Sequence, residues 1–277
     1  ASRLGFEIEE TTKKAIFNNK NLLKNISAER IREEFNKIIL GENATSVLSD
    51  YRDVIAEFIP ESARSFGFDQ KSKYHIYDVY THTLKALDAA PFELSIRLAV
   101  FFHDIAKPFC FTTDTKGLRH YKEHQEMGAE IAKKILRRLK YDNRTIKEVT
   151  TLIKYHDTII APHKPVVKQF LSFLGEDLLT KLFIVKFCDC NGKPNMGGRR
   201  YQDAVKANEI MKDIISKNEC YSLATLKIDG NDLLGKDIPN EHIGTILKHV
   251  LSQVMAENLP NEKSALLEYA LDYYKNN

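Results

Sequence analysis

The sequence predicts an all-α protein, and three observations carry that prediction. Glycine and proline are sparse, 12 and 8 among 277 residues. Apolar residues recur at the helical period almost throughout. The interruptions fall at turn-forming residues and leave segments of helical length between them.

Taken in order, 11–24 reads as one helix. Ser27 is placed to cap a second through its hydroxyl. Ile31, Phe35, Ile38 and Ile39 give that helix its apolar stripe, and Gly41 falls where a C-cap is expected. A short third helix over 51–58 stops before Pro60. The polar, glycine-containing stretch from Ser62 to Ser72 is a junction. Helices are then expected over 76–89, 91–107, 123–139, 143–155, 166–174 and 176–189, with a loop around Gly117 over 114–119. The strongest breaker cluster runs from Asn191 to Gly198, and a boundary is placed there. Helices over 200–216, 230–234, 240–257 and 261–274 complete the chain. This organisation gives a helical neck over 1–65, a helical bundle over 66–196 and a helical tail over 197–277.

An apolar fraction of 43% and a charged fraction of 29% describe an ordinary globular chain. The net charge of +3 is too small to argue nucleic-acid binding by itself. No stretch approaches the ~18 apolar residues of a membrane span. No secretory signal opens the chain, and Ala1 to Phe6 reads as the middle of a longer sequence. Cys188 and Cys190 lie in a Cys-Asp-Cys run, Cys110 and Cys220 are isolated, and no CxxC pair suggests structural zinc. Reduced thiols in a cytoplasmic protein are expected, with no membrane partner.

The most informative segment is Leu98 to Pro108. An apolar helical run delivers His103 and Asp104 side by side, then Lys107, and stops at a proline. Burying an imidazole beside a carboxylate is costly unless something compensates, and a divalent cation is the simplest compensation. His82 lies on a second apolar helix and Asp189 ends a third. His82, His103, Asp104 and Asp189 make a candidate His₂Asp₂ site for a transition metal such as Mn, Ni, Co, Fe or Zn, with Mg also possible. Neighbours on a helix point about 100° apart, so Asp104 could bridge to a second ion. His75 could line the cleft or cap its helix.

The order His82, His103-Asp104, His124, His156, Asp189 resembles the HD superfamily of metal-dependent phosphohydrolases. That resemblance implies a second-metal role for His124 and His156, and hence one or two ions. Lys107 would contact substrate phosphate. Beyond these residues, the chain resembles the C-terminal part of bacterial class II tRNA nucleotidyltransferases, the CCA-adding and poly(A) polymerase family. Arg3 to Thr11 resembles the segment after that family's nucleotide-recognition helix, and Ile26 to Glu34 resembles its neck helix. Ile228 to Leu234, followed by Ile243 to Leu247, resembles its tail, and Tyr74 to Thr83 is similar to HD domains embedded in the family.

Nothing in the sequence has the form of the family's catalytic head, a Gly-Ser motif followed by paired aspartates, so nucleotide addition is not expected of this chain. The resemblance instead implies an HD-type phosphohydrolase acting on nucleotide or RNA-end phosphate esters, either phosphomonoesters or 2′,3′-cyclic phosphodiesters. Asp104 and Lys107 would be its catalytic residues, with metal-bound hydroxide as the nucleophile. The alternative is a tRNA-binding scaffold without activity of its own, and a third reading is a structural remnant. Candidate RNA contacts are Arg199 and Arg200 beside the glycine turn, and the basic run Lys133, Lys134, Arg137, Arg138 and Lys140.

Overall fold

The stretch expected to form one helix over 11–24 forms two. Helix α1 (Glu10–Asn19) ends where the Asn19 amide turns back onto the Ala15 carbonyl at 2.8 Å, and a tighter 3-10 segment, Lys20–Asn25, continues the chain. Asparagine side chains compete with the helical backbone in this way. Helix α2 (Ala28–Ile39) opens on Ser27, whose hydroxyl accepts from the Arg30 N–H, and it buries Ile31, Phe35 and Ile39. Gly41 has no left-handed φ. Its missing side chain instead makes room for Ser2, whose hydroxyl donates to the Ile38 carbonyl at 2.6 Å. The helix expected over 51–58 is replaced by α3 (Ala44–Asp50) and α4 (Arg52–Ile55), with Tyr51 breaking the run at φ −111° and ψ 23°. Ala44 and Leu48 are fully buried, and that burial holds the short α3 in place.

The computed structural model describes residues 1–72, 76–193, 198–236 and 238–276. Among these the protein is all-α apart from one two-stranded hairpin. Tyr74 and His75 lie outside the described residues, as do Pro194 to Gly197 of the breaker cluster. No helix among the described residues is long and apolar enough to cross a membrane.

Asp78 caps α5 (Val79–Asp88), its carboxylate accepting from the N–H groups of Tyr80 and Thr81. Helix α6 (Leu94–Phe102) is buried from Ser95 to Phe102 and stops five residues short of the expected end. From Phe102 onward the bonds tighten, with Ile105 N–H donating to Phe102 and Lys107 N–H to Asp104. The loop around Gly117 is the tip of a hairpin in which β1 (Thr112–Thr113) pairs antiparallel with β2 (Arg119–His120). Gly117 holds φ +77°, which favours glycine. Helices α7 (His124–Arg138), α8 (Asn143–Tyr155), α9 (Lys164–Leu174) and α10 (Glu176–Asn191) follow. The chain ends with α11 (Arg199–Ser216), α12 (Gly230–Leu233), α13 (Asn240–Met255) and α14 (Lys263–Asn276).

The chain divides into two compact units, 1–158 with 181–201, and 159–180 with 202–277. In the first, α7 and α6 pack on α8, α5 on α6, and α2 on α6. Phe35 sits at the α2–α6 contact, edge-on to Phe58 and Phe101 at 5.7 Å from each. In the second, α12, α13 and α14 enclose a core that includes Leu233, Val250 and Leu266, all fully buried. Beside it, Glu219 receives Lys164 at 2.7 Å and Lys168 at 2.8 Å.

Candidate metal centre

Five helices of the first unit deliver polar side chains to one buried point. His82 comes from the first turns of α5. His103 and Asp104 follow the last residue of α6, and His124 opens α7. His156 caps the end of α8, and Asp189 lies near the end of α10. All six are buried.

They form two groups that share one carboxylate. His82, His103, Asp104 and Asp189 are one, and Asp104, His124 and His156 the other. Asp104 Oδ2 lies 3.5 Å from His82 Nε2 and 3.2 Å from His103 Nε2. Its other oxygen lies 3.6 Å from His124 Nε2 and 3.8 Å from His156 Nε2. Asp189 Oδ1 completes the first group, 3.0 Å from His82 Nε2 and 3.5 Å from His103 Nε2.

The rings are turned inward by their second nitrogens. The Nδ1 atoms of His103, His124 and His156 lie 2.7–2.8 Å from the carbonyls of Val100, Tyr121 and Ile153, three residues back in each case. His82 Nδ1 reaches the Gly192 carbonyl at 3.1 Å. Each ring nitrogen facing a carbonyl must be the donor, which leaves the Nε2 atoms as the ones that converge on the carboxylates. The facing pairs are close, 3.3 Å for His82 and His103 and 3.4 Å for His124 and His156. Neither oxygen of Asp104 accepts a well-formed hydrogen bond, although Lys107 Nζ lies 2.6 Å from Oδ2 as an ion pair. So many electron-rich atoms in one place require positive charge among them, as a proton or an ion. Imidazole nitrogens with carbonyl-bound partners, together with carboxylates, form a donor set that fits a divalent metal ion.

The electrostatics agree. Burial alone would raise both carboxyls. His103 and Lys107 hold Asp104 well below the usual carboxylate range, and Lys193 with the histidines does the same for Asp189. Burial opposes a proton on His103, but Asp104 and Asp189 outweigh it and push this group up to about 10. His156 is driven well down by burial and by the neighbouring imidazoles, and His124 is lowered chiefly by burial.

The structure therefore brings together His82, His103, Asp104, His124, His156 and Asp189, whereas His75 lies outside the described residues. Lys107 stands beside Asp104, its ammonium donating to Gln70 Oε1 at 2.8 Å. Arg199 and Arg200 lie outside both groups, exposed at the start of α11, with Arg200 Nη1 2.5 Å from Asp157 Oδ1. In the basic run on α7, Arg138 is engaged by both oxygens of Glu61 at 2.8–2.9 Å, and Lys133 by Glu130 at 3.5 Å. Three residues near the centre escaped the sequence reading. Gln70 is fully buried and fixes Lys107. Gly192 supplies the carbonyl for His82. Lys193 donates to Asp189 Oδ2 from one turn further on, and an i,i+4 Asp–Lys spacing was its only signal.

Comparison with known proteins places this architecture. Residues 123–270 match the family described as tRNA nucleotidyltransferase domain 2, and residues 5–61 match the "Probable RNA and SrmB-binding site of polymerase A". The chain belongs to the tRNA nucleotidyltransferase family and corresponds to its C-terminal region. It is 26% identical over 228 residues to a CC-adding tRNA nucleotidyltransferase of Thermus thermophilus, covering 77% of this chain and 52% of that protein. It is 30% identical over 139 residues to an A-adding tRNA nucleotidyltransferase of Deinococcus radiodurans, covering 46% of this chain and 31% of that protein. A CCA-adding enzyme of Lactobacillus delbrueckii is 24% identical over 269 residues, covering 97% of this chain and 56% of its own length. The chain thus spans about half the length of the relatives that match most of it.

These matches overturn the expected phosphohydrolase. The relatives are named for adding nucleotides to tRNA, and none of those named here is a hydrolase. Hydrolysis was the reaction for which Asp104 and Lys107 were expected to serve as catalytic residues. The HD-like order of residues does not by itself fix a reaction, since one scaffold can host different chemistries.

Proposed function

We propose that this chain is a tRNA-binding scaffold of a CCA-adding or poly(A)-adding nucleotidyltransferase, with no activity of its own. The observation that carries the reading is the composition of α1 and the turn after it. Between Thr11 and Ala28 there are four lysines and no carboxylate, inside the stretch similar to an RNA-binding site. Neither α1 nor the turn buries a residue, so these helices keep their polar face outward. Lys14 and Lys24 are exposed, and Lys13 is half-exposed. Such a strip suits the phosphates of an RNA backbone, and Arg199 and Arg200 would add contacts of the same kind. The neck over 1–65 would supply the first set of contacts and the tail over 197–277 the second.

The test is tRNA binding at a series of salt concentrations. Replacing Lys13, Lys14 and Lys24 by alanine lowers the slope of log K against log salt, by roughly 0.7–0.9 for each phosphate that is no longer neutralised. No binding of wild-type protein at low salt overturns the reading.

The buried centre is the scaffold's clamp. His82, His103, Asp104 and Asp189 would hold one divalent transition-metal ion, and Asp104 with His124 and His156 a second. The ion would supply coordinate bonds that tie five helices together. Supporting this are the carbonyl-bound Nδ1 atoms and the two Asp104 oxygens, neither of which accepts a well-formed hydrogen bond. Elemental analysis of protein purified without chelator tests it, and metal-free protein that takes up no Mn²⁺, Co²⁺, Ni²⁺ or Zn²⁺ refutes it.

A further inference from the structure

Two ammonium groups sit inside the metal centre, and each faces a different carboxylate. Lys107 Nζ lies 2.6 Å from Asp104 Oδ2. Lys193 Nζ donates to Asp189 Oδ2, the oxygen turned away from the histidines, while Oδ1 faces His82 and His103. Neither lysine is a surface residue that happens to reach inward, since their side chains are only 6% and 13% exposed. Lys107 is also fixed from behind. Its ammonium donates to Gln70 Oε1 at 2.8 Å. Gln70 is itself pinned, its amide donating to the Tyr77 carbonyl at 3.2 Å and its own carbonyl accepting from the Tyr121 hydroxyl at 2.6 Å. Lys193 rides on the same turn as Gly192, whose carbonyl orients His82. One short stretch, 189–193, thus provides a donor, the partner of a second donor and a cation.

We propose that Lys107 and Lys193 are resident counter-cations. Each balances one of the centre's two carboxylates, so that the helices keep their arrangement without an ion, and an incoming ion binds against this built-in charge. The second half rests on the metal-centre reading above, and the first half does not. The argument is one of charge. Two carboxylates buried together without cations would be strongly unfavourable, and each lysine removes one uncompensated charge. A divalent ion then enters a site whose two carboxylates are already balanced, and it meets two ammonium groups at short range. Lys193 on the outer oxygen further keeps Asp189 to a single inward-facing oxygen. Lys107 and Lys193 are therefore positioning residues that trade ion affinity for a fold that is stable when empty.

The experiment compares thermal unfolding in EDTA, and Mn²⁺ binding by calorimetry, for the full chain and four variants. The variants are Lys193→Met, Lys107→Met, Lys193→Arg and the pair Asp189→Asn with Lys193→Met. Wild type stays folded in EDTA. Lys193→Met and Lys107→Met melt at lower temperature in EDTA yet bind Mn²⁺ more tightly, by roughly 5–150-fold, the range typical of coupled sites. Because the ion stabilises only the folded form, their metal-induced rise in melting temperature exceeds that of wild type. Lys193→Arg behaves as wild type. The neutral pair recovers most of the stability in EDTA, which separates lost charge balance from lost packing. Should Lys193→Met fail to fold in EDTA, folding on addition of Mn²⁺ together with a folded neutral pair supports the proposal. It is overturned by a wild type that unfolds in EDTA, by a Lys193→Met protein as stable there as wild type, or by Mn²⁺ affinity that is unchanged or weaker. If neither wild type nor any variant binds Mn²⁺, the metal reading falls while the EDTA comparison still decides the counter-cation claim.

Discussion

Gly192 leaves room for the ring of His82. A Cβ at position 192 would fall 2.5 Å from His82 Nδ1, and the Gly192 carbonyl receives that nitrogen at 3.1 Å. The glycine is required by close approach, since its φ is not left-handed. Gly192→Ala therefore tilts the imidazole out of the first ligand group. Metal affinity falls by about 10–100-fold, the usual cost of losing a partner behind a ligating histidine. Calorimetric titration with Mn²⁺ measures this, and affinity equal to wild type would show that the glycine carbonyl does not orient the ring.

Asp104 is the one residue common to both ligand groups. Asp104→Ala removes a donor from each, so both ions are lost together and the bound stoichiometry drops to zero at concentrations that saturate wild type. It also leaves Lys107 buried beside an empty space, at a cost of about 3–5 kcal/mol in metal-free protein. Inductively coupled plasma analysis and urea unfolding read the two effects separately. Retention of one ion would place Asp104 outside one of the groups.

Phe35 anchors the neck to the bundle within the first unit. It is 1% exposed and meets Phe58 and Phe101 edge-on. Phe35→Ala costs about 3–5 kcal/mol through lost burial and the cavity left behind. Denaturant unfolding checks the figure. A change below about 1 kcal/mol would mean that the neighbouring rings collapse into the space.

Glu219 gives the second unit a dependence on acid. Burial would raise its carboxyl, but hydrogen bonds from Lys164 and Lys168 overcome this and hold it below its ordinary value of 4.5. A depressed carboxyl contributes stability above 4.5 and loses it as pH falls through the lower, folded-state value. Glu219→Gln is therefore less stable than wild type at neutral pH, and the gap narrows below pH 4.5. Urea midpoints at about pH 7 and about pH 3.5 test the sign, and a constant gap would remove the ionic contribution.

How much of this was legible before folding differs by residue. Buried imidazoles and carboxylates on apolar helices stand out in a sequence, because so few polar groups sit on an apolar face without a reason. Lys193 and Gln70 did not stand out. A lysine one turn beyond an aspartate and a glutamine in a polar junction look solvated, and only the packing of distant segments buries them. The helix over 143–155 was readable from its period, and the structure adds the Asp142 cap that opens it. The short α3 was not, because seven residues held by Ala44 and Leu48 carry little period of their own. Likewise, two-residue strands such as β1 and β2 are too brief to show alternation. Gly41 was read as a helix stop, but its close approach to Ser2 is what calls for it.

His82 and Asp189 are 107 residues apart in the chain, yet their side chains meet at 3.0 Å. During synthesis at ~5–20 residues per second, the aspartate leaves the ribosome roughly 5–20 s after the histidine. Throughout that interval the earlier side chains would form an incomplete set of donors. Any ion held by the finished site would then be selected by the order of events on the nascent chain as well as by the preferences of the closed cage.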